Sequence, residues 1–334
     1  TPGGEVSTTG IAGYTLAGGM GLLHRIWGLA CDNLLSAEVV TAESEVLRAS
    51  ITEHPDLYWA IRGGGGNFGI VTWFEFQLHQ LGPQVYTSMV IHPASEAAAV
   101  IRGWEAFTRQ VPDEVTSEAA LWRMPPSPDF PPEWRDLPVE LTNAVYAGPV
   151  EEGERALQPL RELGAPLLDL SGPQDYVDSQ KAPDPLFPDG ALYYWKSLYL
   201  DHLDGDLIDA IIAQASGRPT PQTLVILRHL GGAISRVPEE ATAYGNRRAL
   251  YNLSLDATWD DPLQSEKAIA WTKQAWSALQ ARSGGGVYLN FAGLGEDNDA
   301  LVRAGYGRNY DRLRQIKRRY DPTNLFRGSI NIAP

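Results

Sequence analysis

The stretch Asn309-Tyr310-Asp311-Arg312-Leu313-Arg314-Gln315-Ile316-Lys317-Arg318-Arg319-Tyr320-Asp321-Pro322-Thr323-Asn324-Leu325-Phe326 decides how this chain is read. Leu313, Ile316 and Lys317 recur at helical spacing, which predicts a helix running into the Asp321-Pro322 pair. Proline lacks the amide a helix needs and pushes the preceding residue toward extended backbone, so the helix stops there. A polar turn and an apolar Phe326, expected to be buried, come next. Upstream, Ser283-Gly284-Gly285-Gly286 leads into Val287-Tyr288-Leu289-Asn290-Phe291, which reads as a strand.

Two glycine-rich segments lie at the other end of the chain. Gly10-Ile11-Ala12-Gly13-Tyr14-Thr15-Leu16-Ala17-Gly18-Gly19-Met20-Gly21 interleaves glycine with small and apolar residues. Such density permits backbone conformations closed to other residues and close approach of a ligand. Exposed amides before a helix start suit an anion such as a pyrophosphate; a tight structural turn explains the segment equally well. The dinucleotide-fold spacing is absent, as is the Gly-Lys-Ser/Thr of a phosphate loop. The second segment, Arg62-Gly63-Gly64-Gly65-Gly66-Asn67-Phe68-Gly69-Ile70-Val71-Thr72, shifts the weight, because two such loops feeding strands in one small domain exceed what packing requires.

The 334 residues suggest two domains. Hydrophobic residues make up 43% and charged residues 20%, a globular composition. A formal net charge of −14 argues against nucleic acid as a partner. One cysteine, Cys31, excludes an internal disulfide and fits a reducing, cytoplasmic setting without ruling out secretion. No apolar run approaches a membrane span, and the histidines and Cys31 lack metal-ligand spacing. Residues 35–42 alternate as a strand with 46–49 as partner, and 70–78 alternate again. After Gly82-Pro83 the texture becomes strands at 85–91, 121–124, 139–146, 193–199, 223–229 and 249–259. Helices at 94–108, 151–163, 205–214 and 262–280 separate them, with a proline-rich loop at 125–138. This is α+β texture, an antiparallel sheet with helices on one face.

The two glycine loops, the run Gly28-Leu29-Ala30-Cys31-Asp32-Asn33-Leu34-Leu35-Ser36-Ala37-Glu38-Val39-Val40-Thr41-Ala42 and the stretch 286–334 together resemble FAD-linked oxidases of the berberine-bridge-enzyme type, within the vanillyl-alcohol-oxidase superfamily. The middle resembles that family weakly, through Gly231-Gly232-Ala233 and residues 247–259. The resemblance implies the second FAD-binding subdomain of a PCMH-type fold at 1–82, an inserted substrate domain at 83–283 and a return to the FAD domain at 284–334. It also implies that the first FAD subdomain, on the order of a hundred residues, lies outside this sequence, as a missing N-terminal segment or a complementary chain. Its histidine-bearing flavin loop is not among the six histidines here, and Val6 stands where bicovalent members have cysteine.

Carried onto individual residues, the resemblance places Gly10, Gly13, Gly18, Gly19 and Gly21 along the FAD diphosphate and ribityl chain. Gly66, Asn67, Gly69, Ile70 and Val71 form a neighbouring backbone wall. Tyr288 and Asn290 reach the flavin side, and Asn324 ties the C-terminal turn to the cofactor. Tyr14 replaces a frequent histidine, and Thr9 falls where the family gates oxygen access, which favours an oxidase. The implied reaction moves a hydride from an alcohol, sugar, amine or secondary metabolite to flavin N5, with O2 as acceptor. The alternatives are a non-catalytic ligand-binding fragment and an oxidative cyclase.

In this family the substrate lies between the flavin and the sheet of the inserted domain, so polar residues on strands of that sheet are the acid–base candidates. Tyr251, Asn252 and Asp256 are taken from one strand, with Asn252, Ser254 and Asp256 sharing a face and Asp256 as the base. An ordinary surface strand would alternate in the same way. Tyr193, Lys196 and Tyr199 form a second set, with Lys196 polarising a substrate oxygen. Arg228 and His229 sit just before the Gly231-Gly232 turn, where His229 reads as a satisfied structural histidine.

Overall fold

The computed structural model describes residues 1–126, 130–293, 299–328 and 330–334. The chain divides into two compact units, one of Thr1–Gln80, Gly231–Arg248 and Gly286–Pro334, the other of Leu81–Leu230 and Ala249–Gly285. The block expected at 83–283 is therefore interrupted, since Gly231–Arg248 belongs with the first unit. The physical reason is Arg247. Its buried guanidinium donates to both carboxylate oxygens of Asp32, at 3.0 and 2.6 Å, and to the Thr242 hydroxyl at 2.7 Å. Trp59 Nε1 and the Arg62 guanidinium donate to the carbonyls of Glu240 and Ala241, each at 2.8 Å.

The first unit carries a three-stranded antiparallel sheet of β1 (Leu34–Val40), β2 (Val46–Ser50) and β3 (Ile70–Phe76), in the order β2-β1-β3. Ala37 and Val39 point into the core while Glu38 pairs outward with Arg48, the alternation of a half-buried strand. The helix Pro55–Ile61 starts with proline in its first turn, where a missing amide costs nothing. The helix Tyr310–Tyr320 packs beside it, with Leu57, Ile61, Leu313 and Ile316 in one cluster. Leu313 is fully buried, so Leu313→Ala would cost about 2–5 kcal/mol. The helix stops at Asp321, whose carboxylate accepts from the amides of Leu325 and Phe326 at 2.8 Å each. Phe326 itself is half-buried. The strand expected at 287–291 does not form: Leu289–Phe291 is a 3-10 turn. Gly285 and Gly293 flank it with φ of 85° and 78°, closed to a continuing strand.

The second unit is built on one antiparallel sheet. Its strands are β4 (Gln84–Pro93), β5 (Val115–Arg123), β6 (Pro138–Tyr146), β7 (Leu168–Asp169), β8 (Gly172–Asp175), β9 (Leu192–Leu200), β10 (Leu224–His229) and β11 (Tyr251–Trp259). The order is β7-β4-β6-β5-β10-β11-β9, with β8 also on β4. Helices Ala97–Thr108, Val150–Arg161, Gly205–Ser216 and Ser265–Gln280 supply the apolar partners of one face. Trp104, Leu157, Ile211 and Leu279 meet Val115, Ala144, Leu253 and Leu255 there. The amphipathic period of each helix matches the period-2 alternation of the strands beneath it. The loop expected at 125–138 contains a 3-10 turn at Pro132–Trp134, and residues 127–129 lie outside the described residues. No helix among the described residues is long and apolar enough to cross a membrane.

Candidate active site

The two glycine loops meet in the first unit. The amides of Gly63 and Gly65 both donate to Leu16 O, at 2.9 and 2.8 Å. The first loop is not an open anion cradle, because Ile11–Leu16 is itself a short helix, with the amides of Tyr14 and Ala17 donating to the carbonyls of Gly10 and Gly13. Six residues are too few for a useful helix-end charge.

The glycines then separate into two kinds. Gly18 has φ 115°, and a Cβ there would lie 2.7 Å from the Tyr244 ring. At Gly19 it would meet Ala30 and the Tyr14 ring, at Gly21 the Gly3 carbonyl, and at Gly69 the Val39 side chain and Val40 O, both at 2.6 Å. Protein packing accounts for these four. At Gly10, Gly13 and Gly66 a Cβ would meet nothing within 4 Å. All three are exposed, as is Thr9, and Ile70 is 58% exposed while Val71 is partly buried. A backbone surface stripped of side chains and open to its surroundings fits a large ligand that lies close to the main chain, as an FAD would.

Tyr288 is buried on the inner side of the first loop, where its hydroxyl accepts from Met20 N at 3.2 Å and from Asn290 Nδ2 at 2.8 Å. Burial pushes the phenol up to about 12, so it stays neutral. Asn290 also donates to Tyr14 O at 3.4 Å, and Tyr14 donates to Gly3 O at 2.7 Å. These side chains clasp the first loop. The Asn67 carboxamide is used internally: Nδ2 donates to Gly64 O at 2.8 Å, and Oδ1 accepts from Ile332 N at 3.0 Å. Asn324 has φ 56° in the turn after Asp321, and its buried Oδ1 has no hydrogen-bond partner among the described residues.

In the second unit the two faces of the sheet sort the acid–base candidates. Tyr251, Leu253 and Leu255 belong to the helix-covered core, so Asn252, Ser254 and Asp256 occupy the other face. The Tyr251 hydroxyl shares a 2.8 Å hydrogen bond with Thr108, and its ring sits 5.6 Å from Trp104. Lys196 pairs with Leu255 and also faces the helices, its ammonium 4.3 Å from the Trp276 ring centroid. The two sets drawn from sequence are therefore split, because residues an odd number apart cannot share a strand face. Tyr251 and Lys196 are separated from Asp256 by the sheet itself.

What the fold does gather on the second face is a row across five strands. Asn143 pairs with Glu118, Glu118 with Arg228, Arg228 with Asn252, and Asn252 with Tyr199. Asn143 Nδ2 donates to Glu118 Oε1 at 3.1 Å, and Arg228 donates to Ser254 Oγ at 2.6 Å. The Arg228 guanidinium lies 3.8 Å from Asp256 Oδ2, with both side chains at most 4% exposed. Asn252 donates to Leu198 O at 3.4 Å, while its Oδ1 is fully buried with no hydrogen-bond partner among the described residues. Beyond Asp256 the face turns aromatic, with Trp195 beside it in T-shaped contact with Phe187 at 5.4 Å and Tyr193 at 5.8 Å. Glu118 and Asn143 escaped the sequence reading. The strand was read only over 121–124, and Glu118 as the one acidic residue in Val115–Arg123 was the available signal.

Residues 287–333 match the family model described as berberine and berberine like. The FAD-linked oxidoreductase pgmH of Aspergillus terreus is 30% identical over 357 residues, a match that covers 99% of this chain and 70% of that protein. The xylooligosaccharide oxidase of Thermothelomyces thermophilus is 29% identical, with 97% and 67% covered. Among solved structures, xylooligosaccharide oxidase from Myceliophthora thermophila C1 in complex with xylobiose superimposes with a TM-score of 0.83 at 26% identity, covering all of this chain and 73% of that one. BBE-like 1 of Physcomitrella patens gives 0.85 at 24% identity, with 100% and 72% covered. The chain belongs to the berberine-bridge-enzyme-like FAD-linked oxidoreductases. Its fold is the PCMH-type FAD-binding fold of that family, and its cofactor is FAD.

Proposed function

We propose that the protein oxidises a hydroxyl group of a small polyhydroxylated substrate, a sugar or a glycoside, with O2 as the final acceptor. FAD, when bound, supplies the hydride acceptor at N5 and passes the electrons on. The observation that carries the reading is the fully buried, orphaned Asn252 Oδ1 within that polar row. Burying a hydrogen-bond acceptor without a donor costs about 1–3 kcal/mol, and a substrate hydroxyl removes that penalty. An aryl alcohol would need one such contact. Asn252, Ser254, Asp256, Arg228 and Glu118 on one face suit several hydroxyls, and the aromatic side chains of Trp195 and Phe187 suit the C–H face of a ring. The relative named xylooligosaccharide oxidase supports the same choice.

In this reading Asn252 binds the hydroxyl and Asp256 takes its proton as the C–H bond breaks. Arg228 holds the carboxylate in place. Gly10, Gly13 and Gly66 are the backbone surface against which the FAD lies, and Thr9 flanks it. The test is anaerobic mixing of the purified yellow protein with xylobiose, cellobiose and simple aryl alcohols. Bleaching of the flavin bands by a sugar, with hydrogen peroxide formed on admitting air, supports the proposal. Bleaching by aryl alcohols alone refutes it. Asn252→Ala should raise KM, and Asp256→Asn should lower kcat by about 10²–10⁴-fold.

A further inference from the structure

We propose that the C-terminal turn, through Lys317, Asp321 and Asn67, is a positioning device that fixes the second glycine loop so that Gly66 is presented to FAD; it rests on the reading of Gly66 as cofactor-facing. The loop joins the helix Pro55–Ile61 to β3 and is held at every residue around Gly66. Gly64 N donates to Ala60 O at 2.9 Å, while Gly64 O accepts from Asn67 Nδ2 and, at 3.1 Å, from the Tyr306 hydroxyl. Asn67 O accepts from Lys317 Nζ at 2.8 Å. The other two donors of that ammonium go to Phe326 O at 2.7 Å and Asp321 Oδ2 at 2.6 Å. Of the four glycines at 63–66, Gly66 alone is exposed with open space where a Cβ would sit.

Lys317 and Asp321 are fully buried and Asn67 is 3% exposed. Burying an ion pair gains little stability over apolar residues of the same volume, because desolvation cancels most of the attraction. What the pair supplies is direction. A three-donor ammonium and a doubly bonded carboxylate define one conformation of residues 321–326, and through Asn67 one conformation of the loop. The same tie accounts for Ile332, whose amide ends on Asn67 Oδ1. Asn67, Lys317 and Asp321, all buried, are thus positioning residues for the cofactor surface.

Coupling between a ligand and a distant segment is reciprocal, which supplies the test. Hydrogen exchange is followed by mass spectrometry on the purified protein with and without FAD, alongside flavin content and melting of Asn67→Ala. We expect FAD to slow exchange at Gly66 and also at Leu325, Phe326 and Ile332. Asn67→Ala should lose FAD affinity at least tenfold, by more than its fall in melting temperature explains. Protection at Gly66 with none at Leu325, Phe326 and Ile332 overturns the proposal, and needs no variant to fold. FAD affinity of Asn67→Ala within twofold of the parent also overturns it. Absence of protection at Gly66 overturns the underlying reading of that residue and the proposal with it.

Discussion

Replacing the bare glycines by alanine separates a ligand surface from a structural turn by the sign of the effect on stability. Gly13 lies inside the helix Ile11–Leu16, exposed, with nothing within 4 Å of a Cβ. A helical glycine costs about 0.8–1.0 kcal/mol relative to alanine, so Gly13→Ala should stabilise the apo protein by about that much. Gly66 has no positive φ and equal room, so Gly66→Ala should add about 0.4–1 kcal/mol by restricting the unfolded chain. Each kcal/mol raises the melting temperature by about 2–4 °C for a unit of this size. Gly18→Ala should do the opposite, since φ 115° and the Tyr244 ring at 2.7 Å both oppose a side chain. The assay pairs apo melting curves with FAD content after reconstitution. Gly13→Ala and Gly66→Ala should melt higher yet hold at least tenfold less FAD. If both melt higher and retain FAD like the parent, the bare glycines do not face the cofactor and the reasoning fails.

Three further perturbations have a defined direction. Arg247→Met leaves Asp32 buried without its cation, at a cost of about 3–5 kcal/mol; adding Asp32→Leu should recover part of it in urea melts, and no recovery would discount the pair. In the second unit His92 Nδ1 and Glu140 Oε2 are 3.2 Å apart, both fully buried, with His92 Nε2 on Leu163 O and Glu96 nearby. Burial pushes Glu140 up to about 7; burial alone would lower His92, but its bonds to Glu140 and Leu163 O hold it above its usual value. Both folded-state values are raised. Their stabilisation is therefore complete below the unfolded pKa values and is lost as pH rises through about 7, by on the order of 1–3 kcal/mol. Glu140→Gln should flatten the fall in stability between about pH 4.5 and 7, and an unchanged slope would assign it elsewhere. Cys31 is fully buried, and burial beside Asp32 pushes its thiol up, so it should resist iodoacetamide in the native state and react in denaturant. Native-state labelling would contradict that environment.

Much of the fold was legible where the determinants are local. The alternation in β1 and the helical spacing of Leu313 and Ile316 are imposed by a core on one side, so period alone reveals them. The assignment of Gly231–Arg248 to the first unit was not, because it depends on Arg247 meeting Asp32, 215 residues away in sequence. Nor was the turn at 289–291, where an apolar-polar alternation is spent on clasping Tyr14 and Met20 instead of pairing with a strand. The candidate site was half legible. Asn252 and Asp256 share a face as the alternation requires, but Arg228, which was not among the candidates, stands between them and Glu118, and only cross-strand register reveals that.

Glycine content by itself is a poor guide to a cofactor surface, because two opposite demands produce it. One is lack of room, as at Gly21, where a Cβ would strike the Gly3 carbonyl. The other is keeping room free, as at Gly10, Gly13 and Gly66. Only the second is unexplained by the protein's own packing, and at Gly13 it persists against a helix-propensity cost of about 1 kcal/mol. The same distinction applies to the buried polar groups. Lys317 is fully satisfied and organises the chain around it, whereas Asn252 Oδ1 is buried with an acceptor left over. In the proposed reading, a ligand is the partner that removes each of these costs. On that reading the space at the bare glycines is kept for FAD, and the spare acceptor of Asn252 is kept for a substrate hydroxyl.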